Sequence, residues 1–249
     1  MTVIPTVELL GDGRPMPVIG IGTASAPPPT PEVFQAGMLH AIALGYRHFD
    51  TAYFYGSERS VGDVIAEALR RGLIKSRAEL FITSKVWCTN NYGDRVLPSL
   101  QESLGNLRSE YLDLYLVHWP VSLKPTEVRS PIETEGMQPF DYRAVWEAME
   151  ECHRLGLAKS IGVSNFSCKK LDQILSIAMI PPSVNQVEMH PLWQQKRLME
   201  FCKEKRIVIT AYSPLGGYGH KWGYNDVIEC NVLKQIASAR GKTLAQAFT

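Results

Sequence analysis

A carboxylate, a phenol, a lysine and a histidine carry the chemistry that this sequence offers. Asp50 closes the strand-forming run Tyr46-Arg47-His48-Phe49-Asp50, and Tyr55 follows five residues later. Lys85 and His118 close two further apolar runs, 80–85 and 112–118. A phenol acts as a general acid at neutral pH only if its surroundings bring its pKa down from about 10. A buried lysine beside it would favour the phenolate, because a nearby cation lowers an acid's pKa. That lysine would itself need a carboxylate, or once buried it would shed its proton, and Asp50 supplies one. His118 can donate a hydrogen bond to the oxygen of a bound carbonyl and fix its orientation. These are the parts for protonating an alkoxide as it forms, which points to carbonyl reduction with hydride from a cofactor.

Taken singly, each residue has an ordinary explanation. Asp50 could cap a helix, Tyr55 and His118 could be packing residues, and Lys85 could be a solvated charge. Their joint placement at the ends of three successive strand runs argues otherwise, so the elements decide the matter. Apolar runs at 18–22, 46–50, 80–85, 112–118, 158–164, 183–188 and 207–212 alternate with helical patterns, such as Val61, Val64, Ile65, Ala68 and Leu69, or Leu97, Leu100, Leu104 and Leu107. Ser57 and Ser167 stand where helix N-caps belong. Strand runs this apolar, separated by helices, imply a parallel sheet covered on both faces. In a barrel, side chains at the carboxyl ends of different strands converge on one mouth. The expected fold is α/β, a TIM-type (β/α)8 barrel in one domain, 1–249. A hairpin precedes it, with Val7-Glu8-Leu9-Leu10 and Arg14-Pro15-Met16-Pro17 joined by Gly11-Asp12-Gly13. Seven βα units can be counted; the eighth strand and a C-terminal tail are expected to be missing from this chain. The Pro-rich piece Ala26-Pro27-Pro28-Pro29-Thr30-Pro31 reads as a stiff loop leading into a helix.

Composition narrows the setting. A net charge of +1 gives no electrostatic case for nucleic acid or a membrane surface. Five scattered cysteines without a CxxC spacing argue against a disulfide framework or a zinc site, and for a reducing compartment. The start Met1-Thr2-Val3-Ile4-Pro5 lacks the basic and apolar parts of a signal peptide, and no apolar run approaches the roughly 20 residues that span a bilayer. The expected location is cytoplasmic, and the sequon Asn165-Phe166-Ser167 is then accidental.

The motifs resemble those of the aldo-keto reductases, and in particular the plant branch with chalcone, codeinone, methylecgonone and deoxymugineic acid reductases. The resemblance rests on Gly20-Ile21-Gly22-Thr23, Gly45-Tyr46-Arg47-His48-Phe49-Asp50-Thr51-Ala52, Ile82-Thr83-Ser84-Lys85-Val86-Trp87, Leu114-Tyr115-Leu116-Val117-His118-Trp119-Pro120, Ile161-Gly162-Val163-Ser164-Asn165-Phe166, Val184-Asn185-Gln186-Val187-Glu188 and Ala211-Tyr212-Ser213-Pro214-Leu215-Gly216. It implies a catalytic tetrad of Asp50, Tyr55, Lys85 and His118, with Tyr55 as the proton donor, and NADPH as the cofactor. Ser164, Asn165 and Gln186 would hold the nicotinamide carboxamide, and Tyr212 would stack on the ring. Ser213 and Leu215 would contact the pyrophosphate side, and Thr23 and Asp50 would lie along the ribose. Trp87 and Trp119 would line an aromatic pocket for a small carbonyl substrate, with Trp222 adding to it, and the protein would be a monomer. Ala24 stands where many members carry a tryptophan, which loosens one wall and admits larger, non-planar substrates. The family's grip on the adenosine 2′-phosphate lies in its eighth strand and beyond, so the NADPH preference is implied by the resemblance and assigned to no residue here. Specificity would lie in the loops 89–93, 122–141 and 216–229.

Three other readings compete. A Rossmann-type dehydrogenase would use Gly20-Ile21-Gly22-Thr23-Ala24-Ser25, but the third glycine of its fingerprint is absent. A metal-dependent hydrolase lacks an HxH or HExxH pair among the six histidines, so no metal site is expected. A truncated, non-catalytic product or binding module could retain these residues without binding cofactor tightly.

Overall fold

The hairpin forms as a short antiparallel pair, β1 (Thr6–Val7) and β2 (Met16–Pro17), with Thr6 opposite Pro17 and Val7 opposite Met16. Its expected turn, Gly11-Asp12-Gly13, lies outside the residues that the computed structural model describes, which are 4–10, 14–25, 27–125, 136–217 and 225–248. The βα alternation then begins with β3 (Gly20–Gly22), α1 (Pro31–Leu44), β4 (His48–Asp50) and α2 (Glu58–Arg70). It continues through β5 (Phe81–Val86), α3 (Val96–Leu107) and β6 (Leu112–Val117). A second small pair, β7 (Ser122–Leu123) and β8 (Met137–Gln138), stands within a segment that the sequence presents only as a loop. After it come α4 (Tyr142–Arg154), β9 (Ala158–Ser164), α5 (Cys168–Leu175), β10 (Val184–Glu188), α6 (Lys196–Glu204) and β11 (Val208–Tyr212). The helices α7 (Asp226–Glu229), α8 (Asn231–Ala239) and α9 (Leu244–Phe248) follow.

Seven strands form one sheet in the order β11-β10-β9-β6-β5-β4-β3, with every neighbouring pair parallel. Neighbours in the sheet are neighbours among the βα units, which is the order of a (β/α)8 barrel. Among the described residues no strand bridges β3 and β11. All six residues of β5 and all six of β6 are buried, as strands covered on both faces require. The helices α2 to α6 each bury one stripe. In α2 that stripe is Val61, Val64, Ile65 and Ala68, at helical spacing against the sheet, whereas Leu69, expected on it, faces out and is exposed. Thr30 caps α1 by accepting from Val33 N, Pro31 sits in its first turn, and Gly45 closes it in the left-handed region at φ 103°. Ser167 caps α5 as expected, accepting from Lys170 N. In β9, a Cβ on Gly162 would lie 2.5 Å from Val184 O, so the close approach of β10 demands glycine there.

Three apolar layers result. The main one lies between sheet and helices and includes Ile42, Phe49, Leu100, Val117 and Trp146. A second fills the amino end of the barrel, where Leu9 and Met16 from the hairpin segment meet Phe81, Leu114, Leu116 and Val184. Asp113, fully buried there, accepts from Arg14 Nη1 (3.2 Å) and Ile82 N (2.8 Å) and pairs with the Arg77 guanidinium (2.9 Å), tying the hairpin segment to β5 and β6. The third layer is at the carboxyl end: Trp87, Cys88 and Leu123, with Tyr53, Phe54, Trp119 and Val121 against them.

Candidate active site

The strands bring the expected residues to one mouth. Asp50 is the last residue of β4, and Thr23, just past β3, is tied to it by Thr23 N donating to Asp50 O at 2.9 Å. Tyr53–Tyr55 form a single 3-10 turn after β4, closed by Gly56 at φ 68°, which turns the Tyr55 phenol back over the barrel. Lys85 lies near the end of β5, and His118 follows β6 with its N–H donating to Val86 O.

Lys85 is wholly buried, and its ammonium makes three bonds: to Asp50 Oδ1 (2.5 Å), Thr51 O (3.0 Å) and Tyr55 Oη (3.2 Å). All three of its protons are used. Burial works against the Lys85 charge, but Asp50 and then Tyr55 outweigh it, and the pKa is raised. The phenol departs from the sequence expectation. Burial pushes the Tyr55 pKa above its ordinary value, Lys85 offsets only part of that, and the Asp50 carboxylate adds to the rise. Lys85 therefore does not leave the phenol more acidic than usual, because burial outweighs its pull and Asp50 opposes it further. Tyr55 is a protonated donor at neutral pH.

His118 is buried, and burial, helped by Lys85, holds its pKa well below the usual 6.5, so the imidazole is neutral. Three aromatic rings meet it edge-on: Trp87 at 5.0 Å, Tyr55 at 5.4 Å and Phe54 at 6.3 Å. Phe54 stacks on Trp87 at 3.8 Å, so it belongs to the aromatic wall that the sequence assigned to tryptophans. Its only sequence signal was its place beside Tyr55. Trp119 is half-buried, and its carbonyl accepts from Asn91 Nδ2 at 2.9 Å. Ala24 is exposed, and Trp222 lies outside the described residues.

The cofactor candidates join the same network. Tyr212 Oη donates to Asn165 Oδ1 (2.9 Å), and Asn165 Nδ2 donates to His118 O (3.0 Å) and Ser164 Oγ (3.1 Å). Ser164 Oγ donates to Gln186 O (2.9 Å), and Gln186 Nε2 crosses the barrel to Asp50 Oδ2 (2.8 Å). Asn165 holds its place at φ 66°, in the left-handed region. Ser213 and Leu215 sit partly buried in the turn after β11, where Gly216 N donates to Ser213 O. A nicotinamide carboxamide needs acceptors for its NH2 and donors for its carbonyl. The hydroxyl of Ser164 and the amides of Asn165 and Gln186 offer both kinds beside the Lys85–Tyr55 pair, so this donor set fits the group. Among the described residues no cluster of three or more metal-ligating side chains occurs, and no helix is long and apolar enough to cross a membrane.

A parallel barrel with a lysine-backed phenol and amide donors at its mouth defines a nicotinamide-dependent oxidoreductase class. The sequence matches the model of the aldo/keto reductase family over residues 18–246. It is 58% identical to (1S)-1,7-diacetoxy-luvungin A aldo-keto reductase of Citrus sinensis, over 98% of this chain and 76% of that protein. It is also 58% identical to deoxymugineic acid synthase 1 of Oryza sativa subsp. japonica, over 95% of this chain and 74% of that protein. Among solved structures, an aldo-keto reductase of Bombyx mori in complex with NADP superposes with a TM-score of 0.88 at 36% identity, covering 100% of this chain and 80% of that one. The chain belongs to the aldo/keto reductase family and is an oxidoreductase.

Proposed function

We propose that the protein reduces an aldehyde or ketone to the alcohol, with Tyr55 as the proton donor. NADPH, when bound, supplies hydride to the carbonyl carbon. Ser164, Asn165 and Gln186 would hold its carboxamide, Tyr212 would stack on its ring, Thr23 and Asp50 would lie along its ribose, and Ser213 and Leu215 would face its pyrophosphate. Neutral His118 donates to the substrate oxygen and aims it at Tyr55. Tyr55 gives its proton to the alkoxide as that charge develops, and the Lys85 ammonium stabilises the phenolate left behind. Asp50 keeps Lys85 charged. The observation that carries this reading is the wholly buried Lys85 ammonium held between Asp50 and the Tyr55 hydroxyl.

On the substrate side, Phe54, Trp87 and Trp119 present an aromatic face, and the small Ala24, exposed just past β3, adds no bulk to the mouth. That suits a bulky carbonyl compound of plant specialised metabolism, in keeping with relatives named for luvungin A and deoxymugineic acid. The enzyme works as a single-domain cytoplasmic monomer. In the Tyr55→Phe variant, turnover falls by at least about a hundredfold, while NADPH still binds as judged by nicotinamide fluorescence. Unchanged turnover in that variant overturns the proposal.

A further inference from the structure

Ser57 occupies the N-cap position of α2, where the sequence suggests a capping serine, yet its side chain makes no capping bond. Its hydroxyl lies instead 2.7 Å from Thr23 Oγ1 and 2.9 Å from Thr51 Oγ1. Thr23 and Thr51 are themselves buried, at 6% and 0% exposure. Each hydroxyl has one proton and two acceptor lone pairs, so the serine can bridge both threonines at once, donating to at most one of them. The two threonines belong to different loops. Thr23 leaves β3 and donates its backbone N–H to Asp50 O (2.9 Å), while Thr51 leaves β4 and donates its own to Thr83 O (2.8 Å). Thr51 O in turn accepts one of the three Lys85 ammonium protons, at 3.0 Å.

We propose that Ser57 is a positioning residue of this reductase: through Thr51 it fixes the carbonyl that orients the Lys85 ammonium, and through Thr23 it ties that orientation to the cofactor side of the mouth. The proposal rests on the roles given above to Lys85 and Thr23. Its physical basis is the geometry of a fully used ammonium. Of its three bonds, the one to Tyr55 is the longest at 3.2 Å. If Thr51 O drifts, Lys85 settles toward the carboxylate at 2.5 Å, and the contact with the phenol is the first to be lost. The hydroxyl of Ser57 is therefore placed to act on proton transfer without touching substrate.

The test compares Ser57→Ala, Ser57→Thr, Thr51→Val, the Ser57→Ala/Thr51→Val double variant and Tyr55→Phe in the full chain. For each, kcat and KM for reduction of an aromatic aldehyde, the NADPH Kd by fluorescence and the Tm are measured. Ser57→Ala is expected to lower kcat roughly three- to tenfold, the effect of losing one neutral hydrogen bond, and to weaken NADPH binding, with KM for the aldehyde nearly unchanged. Ser57→Thr, which keeps the hydroxyl, restores kcat. The double variant loses no more kcat than the worse single one, because both break the same link. A Ser57→Ala enzyme with wild-type kcat and Kd, whatever its Tm, overturns the proposal, as does a double variant whose losses multiply. If Ser57→Ala does not fold, Ser57→Cys, similar in size and a weak donor, carries the same comparison. Tyr55→Phe separates the two levels: if it remains active the proton-donor reading fails, whereas an inactive Tyr55→Phe beside a wild-type Ser57→Ala sinks only the role of Ser57.

Discussion

Replacing Lys85 by methionine removes the cation on which the site is built while roughly keeping its length. The ammonium is wholly buried and bonded to Asp50 Oδ1, Thr51 O and Tyr55 Oη, none of which methionine can satisfy. Breaking one side of a buried ion pair costs about 3–5 kcal/mol, because the partner is left as an uncompensated charge. The Asp50 side chain is 17% exposed and keeps its bond from Gln186 Nε2 at 2.8 Å, so the lower end, about 3 kcal/mol, applies. That is a large share of a total stability of about 5–15 kcal/mol. Adding Asp50→Asn removes the stranded charge, and a neutral replacement of a buried pair is often near neutral in stability. The double variant should therefore recover about 2 kcal/mol over Lys85→Met in urea unfolding followed by tryptophan fluorescence. Activity should not recover: NADPH consumption in both variants should stay about 10²- to 10⁴-fold below wild type, since the phenolate has lost its cation. A double variant no more stable than Lys85→Met refutes the charge argument. Wild-type turnover in Lys85→Met refutes the catalytic one.

Two further outcomes follow from the same structure. Asn91 is 1% exposed and donates to Trp119 O (2.9 Å) and Val121 O (2.7 Å), so Asn91→Leu leaves two carbonyls unpaired at about 1–3 kcal/mol each; the Tm should fall and KM for a bulky ketone should rise more than kcat drops, and equal KM would show that Trp119 needs no such anchor. His48 and His118 have pKa values lowered by burial, so the unfolded chain takes up their protons first. Their stabilising contribution is complete above about pH 6.5 and is lost as pH falls below it, by up to about 1.4 kcal/mol per pH unit for each histidine; urea midpoints that stay level from about pH 7 to pH 5 would contradict this.

Buried parallel strands covered on both faces leave near-continuous apolar runs, and for that reason the barrel could be read from the sequence. The run 112–118 became β6 (Leu112–Val117), and 80–85 became β5 (Phe81–Val86), displaced by one residue. The meeting of Asp50, Tyr55, Lys85 and His118 was legible for a related reason: in a barrel, strand order in sequence fixes which strand ends are neighbours in space. What escaped depends on contacts between loops, for which sequence has no period. Phe54 on Trp87, Ser57 between two threonines, and the β7–β8 pair are all of this kind. Ser57 shows the limit well: serine before Glu58 at a helix start is a sound capping signal, but a second pair of hydroxyls within 2.9 Å competed for it and won.

The Tyr55 phenol escaped for a different reason, since its acidity depends on the balance of two opposite charges and their surroundings. A lysine beside a phenol suggests a lowered pKa only while the lysine acts alone. Here burial raises the phenol more than Lys85 lowers it, and the same carboxylate that keeps Lys85 charged adds to the rise. For the proposed reduction this balance is useful rather than defective. A general acid must hold its proton at the working pH until negative charge develops on the substrate oxygen. Burial keeps the proton on Tyr55 in the resting site, and the ammonium 3.2 Å away becomes most stabilising only once the phenolate forms beside it. Lys85 is then better understood as a support for the product of proton transfer than as the agent that makes the phenol acidic beforehand.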